Sequence, residues 1–203
     1  MPLSSTSEVG ANDIHASLGL KELLRGLPPD RRHSVLDLGP ASNGNVSFFS
    51  GPWSRLYIAD LFRSLRQRGL PPDQSEPFDR ELEATLPSGC FDLILCWDLL
   101  DYLSKPQMEI LGRHLAKRSR PGSRMFALVA PHGDIPDSPQ HFEILSGESV
   151  RYTSSAAGRR PAPGYREPEL NRWISPFAVE SCYLLRHGIQ EYILVNRASL
   201  GGN

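Results

Sequence analysis

Residues 34–45 read SVLDLGPASNGN, and the reading of this stretch decides the fold. The apolar run Ser34–Leu38 is stopped by Gly39-Pro40, the pattern of a short buried strand that ends in a tight turn. A glycine at such an exit lets backbone N–H groups approach a ligand, beside a helix start whose dipole favours an anionic group. Asp60 follows Gly39 by 21 residues and ends a second strand-like run, Arg55–Ala59. An acid at roughly that distance can accept both hydroxyls of a ribose. The pair points to a nucleoside-containing ligand.

Outward from this stretch, strands alternate with helices. Upstream, Ile14, Leu18, Leu23, Leu24 and Leu27 fall near helical spacing, which predicts a helix from an Asp13 N-cap to Leu27, ended by Pro28-Pro29. Downstream, a helix is expected over Leu61–Arg68, closed by Gly69 and Pro71-Pro72. Phe78, Leu82 and Leu86 predict another over Asp79–Leu86. Phe91–Cys96 is the third strand. Ser104 and Gln107 form a capping box for a helix with Met108, Leu111 and Leu115 on one face. Pro121-Gly122 is a turn before the fourth strand, Arg124–Ala130. Residues 131–166 are rich in Pro, Gly, Ser and Arg, but Phe142 and Ile144, the Ser146-Gly147 turn, and Val150 and Tyr152 alternate as a hairpin. A short helix carrying Leu170, Trp173 and Ile174 follows. The C-terminal stretch admits a helix over Ser175–His187 and one strand; two antiparallel strands joined at His187-Gly188 are preferred, because β-branched and aromatic residues dominate both halves. The class is α/β, with a mostly parallel sheet and a closing antiparallel hairpin.

The 203 residues suit one domain, read as a flexible stretch over 1–12 and a single unit over 13–203 with an insert at about 131–166. Lys+Arg is 22 against 23 Asp+Glu, a net charge of -1, so no broad field attracts nucleic acid or an anionic membrane. No apolar run approaches the roughly 20 residues of a membrane span, and the start lacks a basic, apolar leader. Cys90, Cys96 and Cys182 form no CxxC pair, which favours a reduced, cytoplasmic setting. Of 18 prolines, 4 lie in residues 71–87 and 7 in residues 131–176, marking stiffened loops.

Ligands of open α/β sheets bind beyond the carboxyl ends of the strands. Those ends offer Asp37, Gly39, Pro40, Ala41 and Asn43, then Asp60 and Leu61, then Cys96, Trp97, Asp98, Asp101 and Tyr102, then His132. The ordered segments VLDLGPASNGN, YIADLF, FDLILCWDLLDYL and RPGSRMFALV resemble the successive motifs of class I S-adenosylmethionine-dependent methyltransferases, over about residues 33–130 and 166–197. The resemblance implies a Rossmann-like three-layer sandwich and S-adenosylmethionine as cofactor. It implies that Asp37, Gly39, Pro40, Ala41 and Asn43 form the turn that cradles the methionyl part. It further implies that Asp60, with Leu61 beside it, meets the ribose, and that Cys96, Trp97 and Asp98 contact the cofactor and shape the substrate site. Asp79, with Asp73 as the alternative, is the candidate for the adenine amino group. Two departures stand out: Ala41 and Asn43 occupy positions where the family has glycine, and no third family strand is legible between Pro71 and Gly89.

The activity so implied is methyl transfer to an O or N nucleophile, of a small molecule first and a protein side chain second. The chain lacks an Asn/Asp-Pro-Pro-Tyr run after FDLILC. Where a base is needed, Asp101, Tyr102 and His132 are the candidates. The plainer readings are a helix cap for Asp60, Asp98 and Asp101, and packing for Tyr102. No metal site is expected: His132, Asp134 and His141 read as solvated loop residues, and Arg159-Arg160 as exposed loop arginines. Two alternatives remain. The eroded turn suits a non-catalytic, methyltransferase-like cofactor-binding or partner module. A nicotinamide-dependent oxidoreductase would explain Gly39 and Asp60, but the chain lacks a full Gly-x-Gly-x-x-Gly turn and a Tyr-x-x-x-Lys pair. Oligomeric state is not indicated.

Overall fold

A computed structural model describes residues 13–61, 63–64, 75–153, 158–185 and 188–198. The expected flexible start, Asp73 and most of the helix expected after Asp60 lie outside the described residues. In chain order the elements are β1 (Asp13–Ala16), α1 (Leu18–Arg25), β2 (His33–Asp37), α2 (Asn43–Phe48), β3 (Ser54–Ile58), α3 (Ser75–Thr85), β4 (Phe91–Trp97), a 3-10 turn (Leu99–Tyr102), α4 (Lys105–Lys117), β5 (Ser119–Val129), β6 (Asp134–Pro136), β7 (His141–Ser146), β8 (Ser149–Thr153), β9 (Arg159–Pro161), α5 (Glu167–Trp173), β10 (Phe177–Leu184) and β11 (Gln190–Asn196).

The central sheet runs β10-β11-β5-β4-β2-β3. β3, β2, β4 and β5 pair in parallel, and β11 and β10 continue antiparallel, which is the Rossmann-like α/β architecture with its closing hairpin. The described sheet ends at β3, with no strand beyond it among the described residues.

Strand residues alternate between two cores, as the pleat requires. Leu36, Ile94, Cys96, Met125, Ala127 and Val129 face one way, onto Phe78 and Leu82 of α3, Met108, Leu111 and Leu115 of α4, and Leu170 and Trp173 of α5. Val35, Leu93, Leu95, Trp97, Phe126 and Leu128 face the other way, onto Leu20 and Leu23 of α1 and onto Phe142, Ile144 and Val150 of the β7–β8 hairpin. The Ser104 capping box closes both of its hydrogen bonds with Gln107 at the start of α4. Among the described residues no helix is long and apolar enough to cross a membrane.

Three expectations change. The helix foreseen from Asp13 begins only at Leu18, with Ser17 as its N-cap in place of Asp13. Residues Asp13–Ala16 instead pair with β8, and His15 stacks on Tyr152 with ring centroids 4.5 Å apart. A tertiary partner thus overrides local propensity. The helix foreseen over Asp79–Leu86 starts at Ser75, with Pro77 in its first turn, where the missing N–H costs nothing. Pro121-Gly122 interrupts β5 as a bulge rather than preceding it: β4 pairs at Phe91↔Ser119 and resumes at Leu93↔Arg124, with Gly122 at φ +85.

Candidate active site

From β2 the chain passes to β3 on one side and returns to β4 on the other, so the sheet changes direction between β2 and β4. Such a switch point opens a crevice at the carboxyl ends. Asp37 stands at this point in register with Leu95, and Trp97 follows two residues later on β4. The Ala59 N–H donates to the Asp37 carbonyl (2.8 Å) and the Leu61 N–H to the Leu38 carbonyl (3.1 Å). These bonds hold Asp60, which lies between Ala59 and Leu61, against the Gly39 turn.

Asp37 is fully buried and is the hub of the crevice. Its Oδ1 accepts from the Gly39 N–H (2.9 Å) and from the Trp97 indole Nε1–H (2.7 Å), and its Oδ2 accepts from Asn45 Nδ2 (2.9 Å). Burial raises its carboxyl above the ordinary range, against the pull of these three donors. Trp97 is the one non-glycine with positive φ among the described residues, at 51°. Its ring lies parallel to Phe142, with centroids 5.2 Å apart, and edge-on to Phe126 at 5.9 Å.

The hairpin docks on the same turn. The Gly44 N–H, in the first turn of α2, donates to Glu143 Oε1 (2.9 Å). Asn45 is fully buried: its Nδ2 also reaches the Phe142 carbonyl (3.3 Å), and its Oδ1 accepts from the Ile144 N–H (2.8 Å). The Asn45 N–H is itself held by the Ser42 cap (3.0 Å). Asn45, Phe142 and Glu143 were not among the expected site residues. Asn45 sits in the decisive stretch, whereas nothing local in the insert indicates where Phe142 and Glu143 dock.

A second group lies at the ends of β4 and β5. Asp98 and Asp101 are both buried. The Gln140 N–H donates to Asp98 Oδ2 (3.0 Å), and the Ala130 N–H to Asp101 Oδ2 (2.9 Å). Burial pushes the Asp98 carboxyl up to about 8 and that of Asp101 to about 7. Asp101 Oδ1 and Arg160 Nε are buried without a hydrogen-bond partner among the described residues. Asp98, Asp101, Tyr102, Ile135, Gln140 and Phe142 are among the residues around a narrow cavity with room for about one water molecule. Arg160, expected to be exposed, lies half-buried over the Tyr102 ring at 4.9 Å and donates to the Asp101 carbonyl.

The expected residues therefore divide. Asp37, Gly39, Asp60 and Trp97 come together at the switch point. Pro40 is half-buried, and Ala41 and Asn43 are exposed on the turn. Leu61 and Cys96 point into the core beneath α3 and α4, and burial drives the Cys96 thiol far above its ordinary range. Tyr102 is anchored through its hydroxyl to the Pro136 (3.1 Å) and Ser138 (3.0 Å) carbonyls. His132 is exposed, with its ring beside Gly188. Asp79 is not brought to this group. It sits on the outer side of α3, bound to His114 Nε2 (2.9 Å), and its carboxyl is lowered by that hydrogen bond. His114 lies nine residues beyond Lys105 on α4, about 14 Å along the helix from the carboxyl ends of the strands.

A family model described as "Methyltransferase domain" matches residues 14–175, most of the chain. The chain belongs to this methyltransferase family. The match agrees with the methyltransferase resemblance of the ordered segments. Among solved structures, the chain is similar to S-adenosylmethionine-dependent methyltransferases from Methanosarcina mazei (12% identity, 88% of this chain and 98% of that one, TM-score 0.50) and Clostridium acetobutylicum (12%, 89% and 92%, 0.49). It is also similar to 1,6-didemethyltoxoflavin-N1-methyltransferase from Burkholderia thailandensis (16%, 89% and 77%, 0.48). No curated protein matches in sequence.

The residues at Gly39 do not fit S-adenosylmethionine in the conformation described. A Cβ placed on Gly39 would meet the Trp97 ring at 2.8 Å and Asp37 Oδ1 at 3.2 Å. The space over the turn is taken by the indole, and the Gly39, Gly44 and Asn45 N–H groups are all spent on the protein's own side chains.

Proposed function

We propose that this methyltransferase moves a methyl group from S-adenosylmethionine to an O or N nucleophile of a small molecule. The observation that carries the reading is the convergence of Asp37, Gly39 and Asp60 at the switch point. On the acceptor side, Asp101 is the candidate base. Asp101 borders the cavity, its Oδ1 has no hydrogen-bond partner among the described residues, and a carboxyl near 7 can both hold and release a proton at neutral pH. The proton leaving an acceptor O–H or N–H would pass to that oxygen. Tyr102 would support the site through its contact with Arg160, and exposed His132 is the weaker base candidate. Asp98 would position the cavity wall by holding Gln140.

One observation favours a second reading. Trp97 and the hairpin occupy the crevice, as a methyltransferase-like module without catalysis would allow. Calorimetric titration with S-adenosylhomocysteine, followed by labelled-methyl transfer to pooled small amines and alcohols, separates the two. Micromolar binding with transfer is expected. Binding without transfer to any acceptor supports the module, and no binding in any variant removes the cofactor.

A further inference from the structure

We infer that the β7–β8 hairpin together with Trp97 is a built-in plug of the cofactor crevice, released when S-adenosylmethionine binds. The inference rests on the function proposed above. It starts from the mismatch at Gly39: the turn and its acids are present, but the protein's own atoms fill the place of a ligand.

Three observations point to a filling that can be exchanged, even though Phe142, Ile144 and Val150 are buried against the sheet. First, β1, β8 and β7 form a separate three-stranded sheet that shares no ladder with the central one. Its grip on the turn is polar: Glu143 on the Gly44 N–H, and Asn45 on Phe142 and Ile144. Polar ligand groups can take over such bonds at little net cost. Second, narrow cavities flank Phe142 on two sides, and both are bordered by Leu128, Phe142 and Ile189. Each leaves unfilled space of about one water molecule or less beside the Phe142 ring. Third, Trp97 holds a left-handed backbone conformation that disfavours a bulky residue. It is kept there by the Asp37 hydrogen bond and the Phe142 stack. Moving Phe142 away removes one of these two restraints and leaves the Asp37 hydrogen bond as the one a ligand must displace for the indole to leave Gly39. If the open state is a minor fraction of the population, the apparent affinity for cofactor falls by that fraction.

The test uses the full chain and S-adenosylhomocysteine as probe. Calorimetry compares the wild type with Glu143→Ala and with Phe142→Ala. Hydrogen–deuterium exchange of the wild type, with and without saturating probe, follows residues 141–153 against 91–96. The plug predicts about tenfold tighter binding in Phe142→Ala and a smaller gain of the same sign in Glu143→Ala. It also predicts that the probe speeds exchange over 141–153 and leaves 91–96 protected. The wild-type exchange measurement keeps the test open should Phe142→Ala fail to fold. Equal affinities in all three proteins, with 141–153 unchanged or more protected, would overturn the plug and leave the proposed function standing. Binding in none of them would overturn both.

Discussion

The two faces of the central sheet are covered in different ways. On one face, α3, α4 and α5 lay Phe78, Leu82, Met108, Leu111, Leu115 and Leu170 onto the strands, all of them fully buried. α3 and α4 lie in the crossovers that join β3 to β4 and β4 to β5, so neither can leave without disturbing the strands it joins. On the other face, α1 covers part of the sheet and a hairpin from the insert covers the rest. That hairpin reaches the site through side chains and a few polar bonds, with gaps beside Phe142. The candidate site residues Asp37 and Trp97 are gathered under the second cover. The difference teaches that the site lies beneath the cover that can be exchanged.

Truncating matched aromatics is the strongest way to break this contrast. Phe78 and Phe142 are both buried, one on each face. Phe78→Ala should cost about 3–5 kcal/mol, because the helix face cannot collapse around the lost ring. Phe142→Ala should cost about 2 kcal/mol or less, since the hairpin can settle or lift. Urea unfolding of both variants gives the comparison, and equal losses would mean that the hairpin is core like any other.

Charge gives a second, smaller contrast. On the helix face, the exposed Asp79 carboxyl is lowered by His114, so its small contribution is present above the unfolded carboxyl pKa and lost as pH falls. At the site the sign is opposite. Asp98 and Asp101 are raised by burial to about 8 and about 7, and Asp37 is raised as well. The folded state then holds more protons than the unfolded chain from about pH 4 to 8, so the stability due to these acids declines as pH rises through that window. Asp98→Asn keeps an acceptor for the Gln140 N–H and removes the charge. It should come closest to the wild type at pH 4 or below and exceed it increasingly as pH rises, by about 2 kcal/mol or more at pH 8.5, a gain of about 4 °C or more in melting temperature. Parallel melting curves across the range would contradict the buried-acid account.

How much of this was legible in the sequence follows from where each contact is encoded. The helix face was readable because Phe78, Leu82 and Leu86, or Met108, Leu111 and Leu115, repeat at helical spacing, and because Ser104 and Gln107 cap each other locally. Gly39 and Asp60 were readable because a strand exit is itself a local signal. The strand at Asp13–Ala16 was not, since its partner Tyr152 lies in the distant insert. Alternation showed a hairpin at Phe142–Tyr152 but could not say what it lies on, because docking on Asn45 and Gly44 is a tertiary event. Asp79 was read at the right helix, but its side faces His114 rather than the crevice. Trp97 was expected on the cofactor side; its left-handed backbone and its bond to Asp37 have no sequence signature.

The smallest effect sharpens the contrast most finely. Asp60 belongs to the crevice but, among the described residues, makes no bond to the hairpin: its Oδ1 accepts from the Arg63 N–H (3.1 Å), as an N-cap would. Asp60→Ala should therefore cost about 1 kcal/mol of stability through the lost cap. It should also weaken S-adenosylhomocysteine binding by about tenfold, or about 1.4 kcal/mol, if its carboxylate meets the ribose. Since Asp60 and the hairpin share no partner among the described residues, the factor should be the same in the wild type and in Glu143→Ala, as independent sites add. A double-mutant cycle by calorimetry measures this. A much smaller loss in the Glu143→Ala background would show that the hairpin acts on the ribose end as well, and the division between a fixed rim at Asp60 and an exchangeable cover at Gly39 would have to be redrawn.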